Sequence, residues 1–99
     1  MNLQDVLNKL SPKKHPFEIN GVSFFIHRAR TKDIELHSKP IECLTVCTCD
    51  ENGDPIFSTE DIDGRVNLNA LDSEFVSKTY LAIMELYKEA DVVDELEKK

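Results

Sequence analysis

The amino-acid sequence predicts a small α+β fold that is mainly α, with an N-terminal β-hairpin packed on three to four helices and preceded by a short amphipathic helical arm. Alternating apolar residues around an Asn-Gly turn predict the hairpin, and later apolar residues at helical spacing predict the helices. The 99 residues are 40% apolar and 31% charged, which suits one modest core. We expect an arm with a Pro-rich linker over 1–16 and a single domain over 17–99.

The N-terminal arm is predicted from one apolar stripe on a short helix. Its members recur at i, i+3, i+4 and i+7: Leu3, Val6, Leu7 and Leu10. Asn2 is placed to cap this helix, and two prolines and two lysines break it over 11–16. Because so short a helix is marginal alone in water, we expect it to need a surface on which to dock.

The clearest local pattern is the hairpin over 17–28. Asn20 and Gly21 favour a two-residue turn in which both residues adopt a positive φ. The turn fixes a register that places two apolar pairs on one face: Ile19 with Val22, and Phe17 with Phe24. Two strands alone are unstable, so helices are expected to cover this face.

Helices are predicted over about 31–38, 40–49, 59–69 and 72–90. Thr31 is placed to cap the first, and Pro40 suits the first turn of the second. The segment 40–49 is also rich in β-branched residues, which favours a strand, so both interpretations stay open there.

The third and fourth helices each begin at polar residues that favour a helix start. Ser58 or Thr59 opens the third, and Asp72 or Ser73 caps the fourth. Glu74 and Lys78 are spaced for an exposed ion pair on the last helix. The terminal segment 91–99 either continues that helix or forms a small helix of its own.

Cysteines and acidic residues give weak signals for metal binding. The spacing of Cys43, Cys47 and Cys49 differs from common zinc sites, and we expect reduced, buried thiols. The segment 50–61 resembles an EF-hand loop, but Pro55 stands where that loop needs glycine, which favours an acidic reverse turn. We expect no metal, no cofactor and no catalytic residue, because no acid or base is paired with a nucleophile.

The net charge of −7 argues against a nucleic-acid-binding protein, which needs a concentrated positive face. Residues 1–49 carry seven basic and five acidic groups, whereas residues 50–99 carry five and fourteen. This asymmetry, +2 against −9, favours self-association of opposite ends or a basic partner. No apolar stretch approaches the ~20 residues that span a bilayer, and the N-terminus lacks a signal-peptide pattern, so we expect a cytosolic protein without membrane contact.

Apolar side chains on the two terminal regions exceed what a small core needs and are the candidate partner-binding residues. They are Leu3, Leu7, Tyr80, Met84, Tyr87, Val93 and Leu96. Ordinary burial in the core is the alternative for the stripe formed by Tyr80, Met84 and Tyr87.

The order of elements over about 17–90 resembles the tail assembly chaperones of long-tailed bacteriophages. The similar features are a strand, turn and basic-ended strand before a Thr-led helix over 17–33, an acidic turn before a Phe-anchored helix start over 47–61, and the final-helix sequence Ala82–Leu86. The resemblance implies a helix over 40–49 and a non-enzymatic role. It implies binding to apolar helices of the tape-measure protein and recruitment of the tail-tube protein in the host bacterial cytoplasm, with absence from the mature virion.

Two other classes of function compete with this interpretation. An acidic phage-type inhibitor or DNA mimic would use the acidic half of the chain to occupy a basic protein surface. That binding should weaken steeply with ionic strength, whereas binding in an apolar groove should not. An enzyme that uses one of the three cysteines is the third interpretation, and it lacks a partnered acid or base.

Overall fold

The computed structural model describes residues 1–97, with side chains described through residue 88. The predicted hairpin is present as β1 (His15–Ile19) and β2 (Val22–Ile26), which pair in the predicted antiparallel register. Asn20 and Gly21 have φ values of 50° and 80°, as the two-residue turn requires. Both strands therefore follow from a local signal.

The apolar face of the hairpin is buried unevenly along its length. Phe24 and Ile26 are buried, Phe17 and Ile19 are half-buried, and Val22 is exposed beside the turn. A short strand, β3 (Thr48–Cys49), pairs antiparallel with the last two residues of β2 and completes a three-stranded sheet in the order β1-β2-β3. The end of β2 near the turn has no such neighbour among the described residues.

The helix predicted over about 31–38 is present as a 3-10 helix, Thr31–Leu36. Thr31 is its first residue, and Arg30 stands at the cap position without a side-chain cap bond. Lys39 has an extended backbone because the ring of Pro40 disfavours helical conformation in the preceding residue. Only a short turn fits between β2 and that break.

The segment 40–49 contains both structures that its sequence left open. Helix α2 covers Pro40–Cys47, begins at the proline as predicted, and is followed at once by β3. Thr48 ends the helix with an extended backbone, and its hydroxyl donates to the Leu44 carbonyl at 2.6 Å. The β-branched character of the segment therefore appears only in its last residues.

The helix predicted over 59–69 is absent, and this prediction was wrong. The segment instead contains β4 (Phe57–Ser58) and β5 (Val66–Asn67), which pair in parallel, and a 3-10 turn at Leu68–Ala70. Two side chains form hydrogen bonds with the backbone of this loop. The Ser58 hydroxyl donates to the Glu60 carbonyl, and Asn69 Nδ2 donates to the Thr59 carbonyl at 3.0 Å. Such local bonds compete with helix formation, and Gly64, with a φ of 84°, turns the chain between the strands.

The longest helix, α3, covers Ser73–Glu97. Asp72 caps it as predicted, because its Oδ1 accepts from the Glu74 N–H at 2.8 Å. The predicted ion pair of Glu74 with Lys78 is present at 2.8 Å. The helix continues past 90 to Glu97, so the terminal segment is a continuation as far as it is described, and residues 98–99 lie outside the described residues.

The core lies where β2, α2 and α3 meet. Leu44 and Ile83 are fully buried there. Beside them the aromatic rings of Phe24, Phe57 and Phe75 pack against one another, with ring centroids 5.5 to 6.3 Å apart. No helix in the described part of the chain is both long enough and apolar enough to cross a membrane.

The N-terminal arm forms helix α1 (Leu3–Leu10), and Asn2 caps it by accepting from the Gln4 N–H at 2.9 Å, as predicted. None of its eight residues is buried, and Leu3 and Leu10 are 77% and 79% exposed. The apolar stripe of the arm is therefore left outside the core.

Candidate functional site

Two grooves on the surface are the candidate binding sites. The first, which we call the hairpin groove, has a volume of about 650 Å³ and lies between β1–β2 and the β4–β5 pair. Its apolar lining includes Phe17, Val22, Phe25, Ile56 and Val66. The groove exists because β3 pairs only with the last two residues of β2, so the end of β2 beside the turn faces the β4–β5 pair across a gap.

Carboxylates stand at the rim of the hairpin groove, on Glu18, Asp50 and Glu51. Asp50 also shapes the rim, because its Oδ1 accepts from the N–H groups of Asn52 and Asp54, both at 2.9 Å. This confirms the predicted acidic reverse turn, which Gly53 completes with a φ of 87°. The groove therefore combines an apolar floor with an acidic edge.

The second groove, which we call the arm groove, lies between α1 and the segment that follows β2. Its volume is about 600 Å³. Four basic residues line it: Lys9, Lys13, Arg28 and Arg30. Its apolar lining is Leu7, Leu10, Pro12, Ala29 and Tyr87. No carboxylate from the described side chains lines this groove, so its charge is opposite to that of the hairpin groove.

Tyr87 joins the arm groove to the body of the domain. Its hydroxyl accepts from the Ala29 N–H at 2.7 Å, which fixes the segment after β2 against α3. Burial raises the pKa of the Tyr87 hydroxyl above its ordinary value. The hydrogen bond from Ala29 ties one wall of the arm groove to α3.

The structure brings together two of the seven predicted partner-binding residues. Leu7 and Tyr87 line the arm groove, while Leu3 lies on the exposed arm outside that lining. Tyr80 and Met84 are half-buried and pack against the core, which is the alternative that the sequence left open for them. The side chains of Val93 and Leu96 lie outside the described residues.

Sequence reasoning missed the hairpin groove. Phe25 lies on the same face of β2 as Ser23, the face that the alternation assigns to solvent, and this apolar residue on a polar face was the signal that could have revealed the groove. Val66 carried no comparable signal, because the helix predicted over 59–69 placed it incorrectly.

The three cysteines are free thiols buried in the core, as predicted. A hydrogen bond to Cys43 and burial raise the pKa of Cys47, and burial raises the pKa of Cys49. Both thiols are therefore held in the protonated form, which is the weaker nucleophile. The hydrogen bond with Cys47 lowers the pKa of Cys43, whose side chain is 0% exposed.

Within the described residues, no three His, Cys, Asp or Glu side chains are grouped so that they could hold a metal ion. No protein-family model, curated protein or solved structure matches this chain. The case for a function therefore rests on the shape and charge of the two grooves.

Proposed function

We propose that this chain is a phage tail assembly chaperone. In this role it binds apolar helical segments of the tape-measure protein and helps to recruit tail-tube subunits in the host cytoplasm, without remaining in the mature virion. The observation that carries the proposal is the hairpin groove, whose apolar lining is open to solvent and is edged by carboxylates. The sequence resemblance to this family supplies the identity of the partner.

The hairpin groove offers an apolar surface to one face of a partner helix. Its volume is about 650 Å³. Val22 and Val66 are 54% and 47% exposed, so their side chains are available for contact. A helix that inserts apolar residues at i, i+3, i+4 and i+7 would bury them against this lining.

The acidic rim adds a preference for particular helices. Glu18 and Glu51 are exposed residues of the lining, where they attract Lys or Arg residues that flank an apolar stripe. Because exposed ion pairs contribute little affinity, the rim selects orientation and the apolar floor supplies most of the binding free energy. Low affinity per site suits a chaperone that acts in many copies along one long partner.

A binding role also agrees with the chemistry of the core. Neither groove is lined by the buried thiols of Cys43, Cys47 and Cys49. We therefore propose that the chain acts by binding and not as an enzyme.

Co-expression with the tape-measure protein of the same genome tests this proposal. We expect the wild-type chain to keep the tape-measure protein in the soluble fraction and to co-purify with it. The double variant Val22→Lys/Val66→Lys places charges in the hairpin groove and should abolish this effect. The matched control is Ile34→Lys/Leu81→Lys, which makes the same kind of change at exposed apolar residues outside both grooves.

Three results would contradict the proposal. If the wild-type chain leaves the tape-measure protein insoluble, the chaperone role fails. If the groove variant retains the partner as well as the control does, the hairpin groove is not the site. If the complex dissociates steeply as salt rises, binding is driven by charge, as expected of an acidic inhibitor or DNA mimic.

A further inference from the structure

We propose that the arm groove binds the acidic C-terminal end of α3 from a second copy of this chain, so that copies assemble head to tail. This inference goes beyond the chaperone role, because it concerns the chain alone and a different groove. It rests on the charge and apolar lining of the arm groove and on the composition of residues 91–97.

No described side chain pairs with the positive charges of the arm groove. The ion pairs among the described side chains are Lys78 with Glu74 and Lys88 with Glu85, and both lie on α3. The four basic residues of the arm groove are exposed, and no carboxylate of a described side chain lies within salt-bridge distance of them. The arm groove is therefore a local cluster of positive charge in a chain whose net charge is −7.

The apolar part of the arm groove narrows the chemistry of its occupant. Leu7 is 61% exposed and Leu10 is 79% exposed, and both line the groove on the side opposite Tyr87. A small anion or a phosphate backbone would satisfy the basic residues but would leave these leucines in water. An acidic segment that also carries apolar side chains satisfies both parts of the surface.

The segment 91–97 has this composition. It reads Asp-Val-Val-Asp-Glu-Leu-Glu, with four acidic and three apolar residues, and Lys98 and Lys99 follow it at the end of the chain. The backbone is helical through Glu97, and Val92 and Leu96 are four residues apart, a spacing that places them on one side of a helix. The tail thus pairs an apolar edge with four negative charges, against four positive charges in the groove.

The geometry of α3 favours a second copy over the same chain as the source of the tail. Tyr87 lines the arm groove and belongs to α3, and the helix continues from it to Glu97. At ~1.5 Å per residue, that continuation extends about 15 Å beyond Tyr87 along the helix axis. An unbroken helix cannot fold back into a groove that its own earlier turn lines, but it can enter the groove of a neighbour.

Groove and tail are different surfaces, so each copy offers one of each. Such a contact is heterologous and builds open chains, or rings where the rotation closes. Residues 1–49 carry a net charge of +2 and residues 50–99 a net charge of −9, so the half that contains most of the groove attracts the half that contains the tail.

Charge reversal in the purified full-length chain tests the proposal. We expect the wild-type chain to show a mass that rises with concentration in sedimentation velocity experiments. In the groove-reversed variant, Arg28→Glu/Arg30→Glu reverses the charge of two of the four basic groove residues, and in the tail-reversed variant, Asp94→Lys/Glu95→Lys reverses the charge of two of the four acidic residues of 91–97. Each variant alone should weaken self-association by at least about tenfold, because the net attraction between groove and tail is lost and like charges meet at the substituted positions. Circular dichroism and thermal unfolding establish that each variant is folded.

Mixing the two variants is the decisive part of this experiment. An equimolar mixture of the groove-reversed and tail-reversed chains should associate, because each tail then meets a groove of opposite charge. A single chain with all four substitutions should also associate by itself. The matched control, Lys39→Glu/Arg65→Glu, makes the same change in net charge at exposed residues outside the groove and should associate as the wild-type chain does.

The proposal fails if the wild-type chain is monomeric at every concentration, or if neither reversal changes the assembly. It also fails if the mixture of reversed chains stays monomeric, or if the wild-type chain is monomeric and its groove instead retains a short labelled oligonucleotide. Because the tape-measure protein is absent from this experiment, its outcome is independent of the chaperone test.

Discussion

Helices α1 and α2 have the same length of eight residues and opposite relations to the core. The sequence of α1 has a regular apolar stripe, yet none of its residues is buried. The sequence of α2 has apolar residues on most sides, and three of its eight residues are fully buried: Cys43, Leu44 and Cys47. The difference teaches that an amphipathic pattern predicts a helix but does not determine which surface covers it.

Position in the chain explains this difference. Helix α2 is joined directly to β3 and packs against α3, the 3-10 helix Thr31–Leu36 and β4, so it is covered on several sides. Helix α1 is followed by Ser11 and Pro12, which separate it from β1 and leave its stripe facing the arm groove and solvent. We therefore expect α2 to carry folding stability and α1 to carry association.

The largest expected effect separates the two helices directly. Leu44→Ala in α2 removes a fully buried side chain and should lower the free energy of unfolding by about 2 to 5 kcal/mol. Leu7→Ala in α1 makes the same chemical change at a residue that is 61% exposed and should change it by about 0.5 kcal/mol or less. Urea unfolding of both variants measures the contrast. Equal losses would show that the arm is part of the folded core.

The turn of the hairpin gives the next effect in size. Gly21→Val should destabilise the domain by about 1 to 2 kcal/mol, because a β-branched residue resists the φ of 80°. A Cβ at this position meets no atom within 4 Å, so the cost is conformational and not a clash. Asn20→Ala should cost less, and Gly21→Asn serves as the control because asparagine tolerates a positive φ. If Gly21→Val unfolds at the same temperature as the wild-type chain, the turn does not contribute to stability as proposed.

Substitution of one buried residue of α3 is expected to raise the stability of the domain instead of lowering it. Thr79 is 0% exposed, and its Oγ1 has no hydrogen-bond partner in the described part of the molecule. Thr79→Val keeps the shape of the side chain and removes the unsatisfied hydroxyl, so it should stabilise the domain by about 1 kcal/mol. Thr45→Val is the matched control, since the Thr45 hydroxyl donates to the Glu42 carbonyl at 2.6 Å. A loss of stability in Thr79→Val equal to that in the control would indicate that the hydroxyl is satisfied.

The smallest expected effect is a dependence of the free energy of unfolding on pH. His27 is buried with its Nδ1 2.7 Å from the Arg28 carbonyl, and burial lowers its pKa from the ordinary value of 6.5. The unfolded chain therefore binds more protons than the folded chain. The contribution of His27 to stability is complete above pH 6.5 and is lost as the pH falls through the folded pKa. Unfolding curves of wild type and His27→Gln between pH 7 and 5 should show a shallower slope for the variant, and identical slopes would contradict this.

Local signals were sufficient for the elements that depend on neighbouring residues. The Asn20-Gly21 turn, the caps at Asn2 and Asp72, and the proline at the start of α2 were all predicted from the sequence, and the structure confirms them. Each depends on backbone conformation or on bonds within a few residues.

Elements that depend on distant residues were not predictable in this way. The β4–β5 pair joins Phe57 with Val66 across a loop, whereas the helix over 59–69 was predicted from the polar residues Ser58 and Thr59 at its start. The hairpin groove combines residues from the hairpin with Ile56 and Val66, so its prediction needs that pairing first. The arm groove was not predicted, although Leu7 and Tyr87 were candidate partner-binding residues, because its basic residues come from both sides of the hairpin in the sequence.

The central claim is that the arm serves association and not folding, and deletion of residues 1–12 tests it most directly. The deletion removes α1 and most of one wall of the arm groove while leaving β1 intact. Sedimentation velocity over a concentration series reports both mass and compactness in one measurement. The account predicts a compact monomer at concentrations where the full-length chain associates. An expanded monomer, or assembly equal to that of the full-length chain, would contradict it.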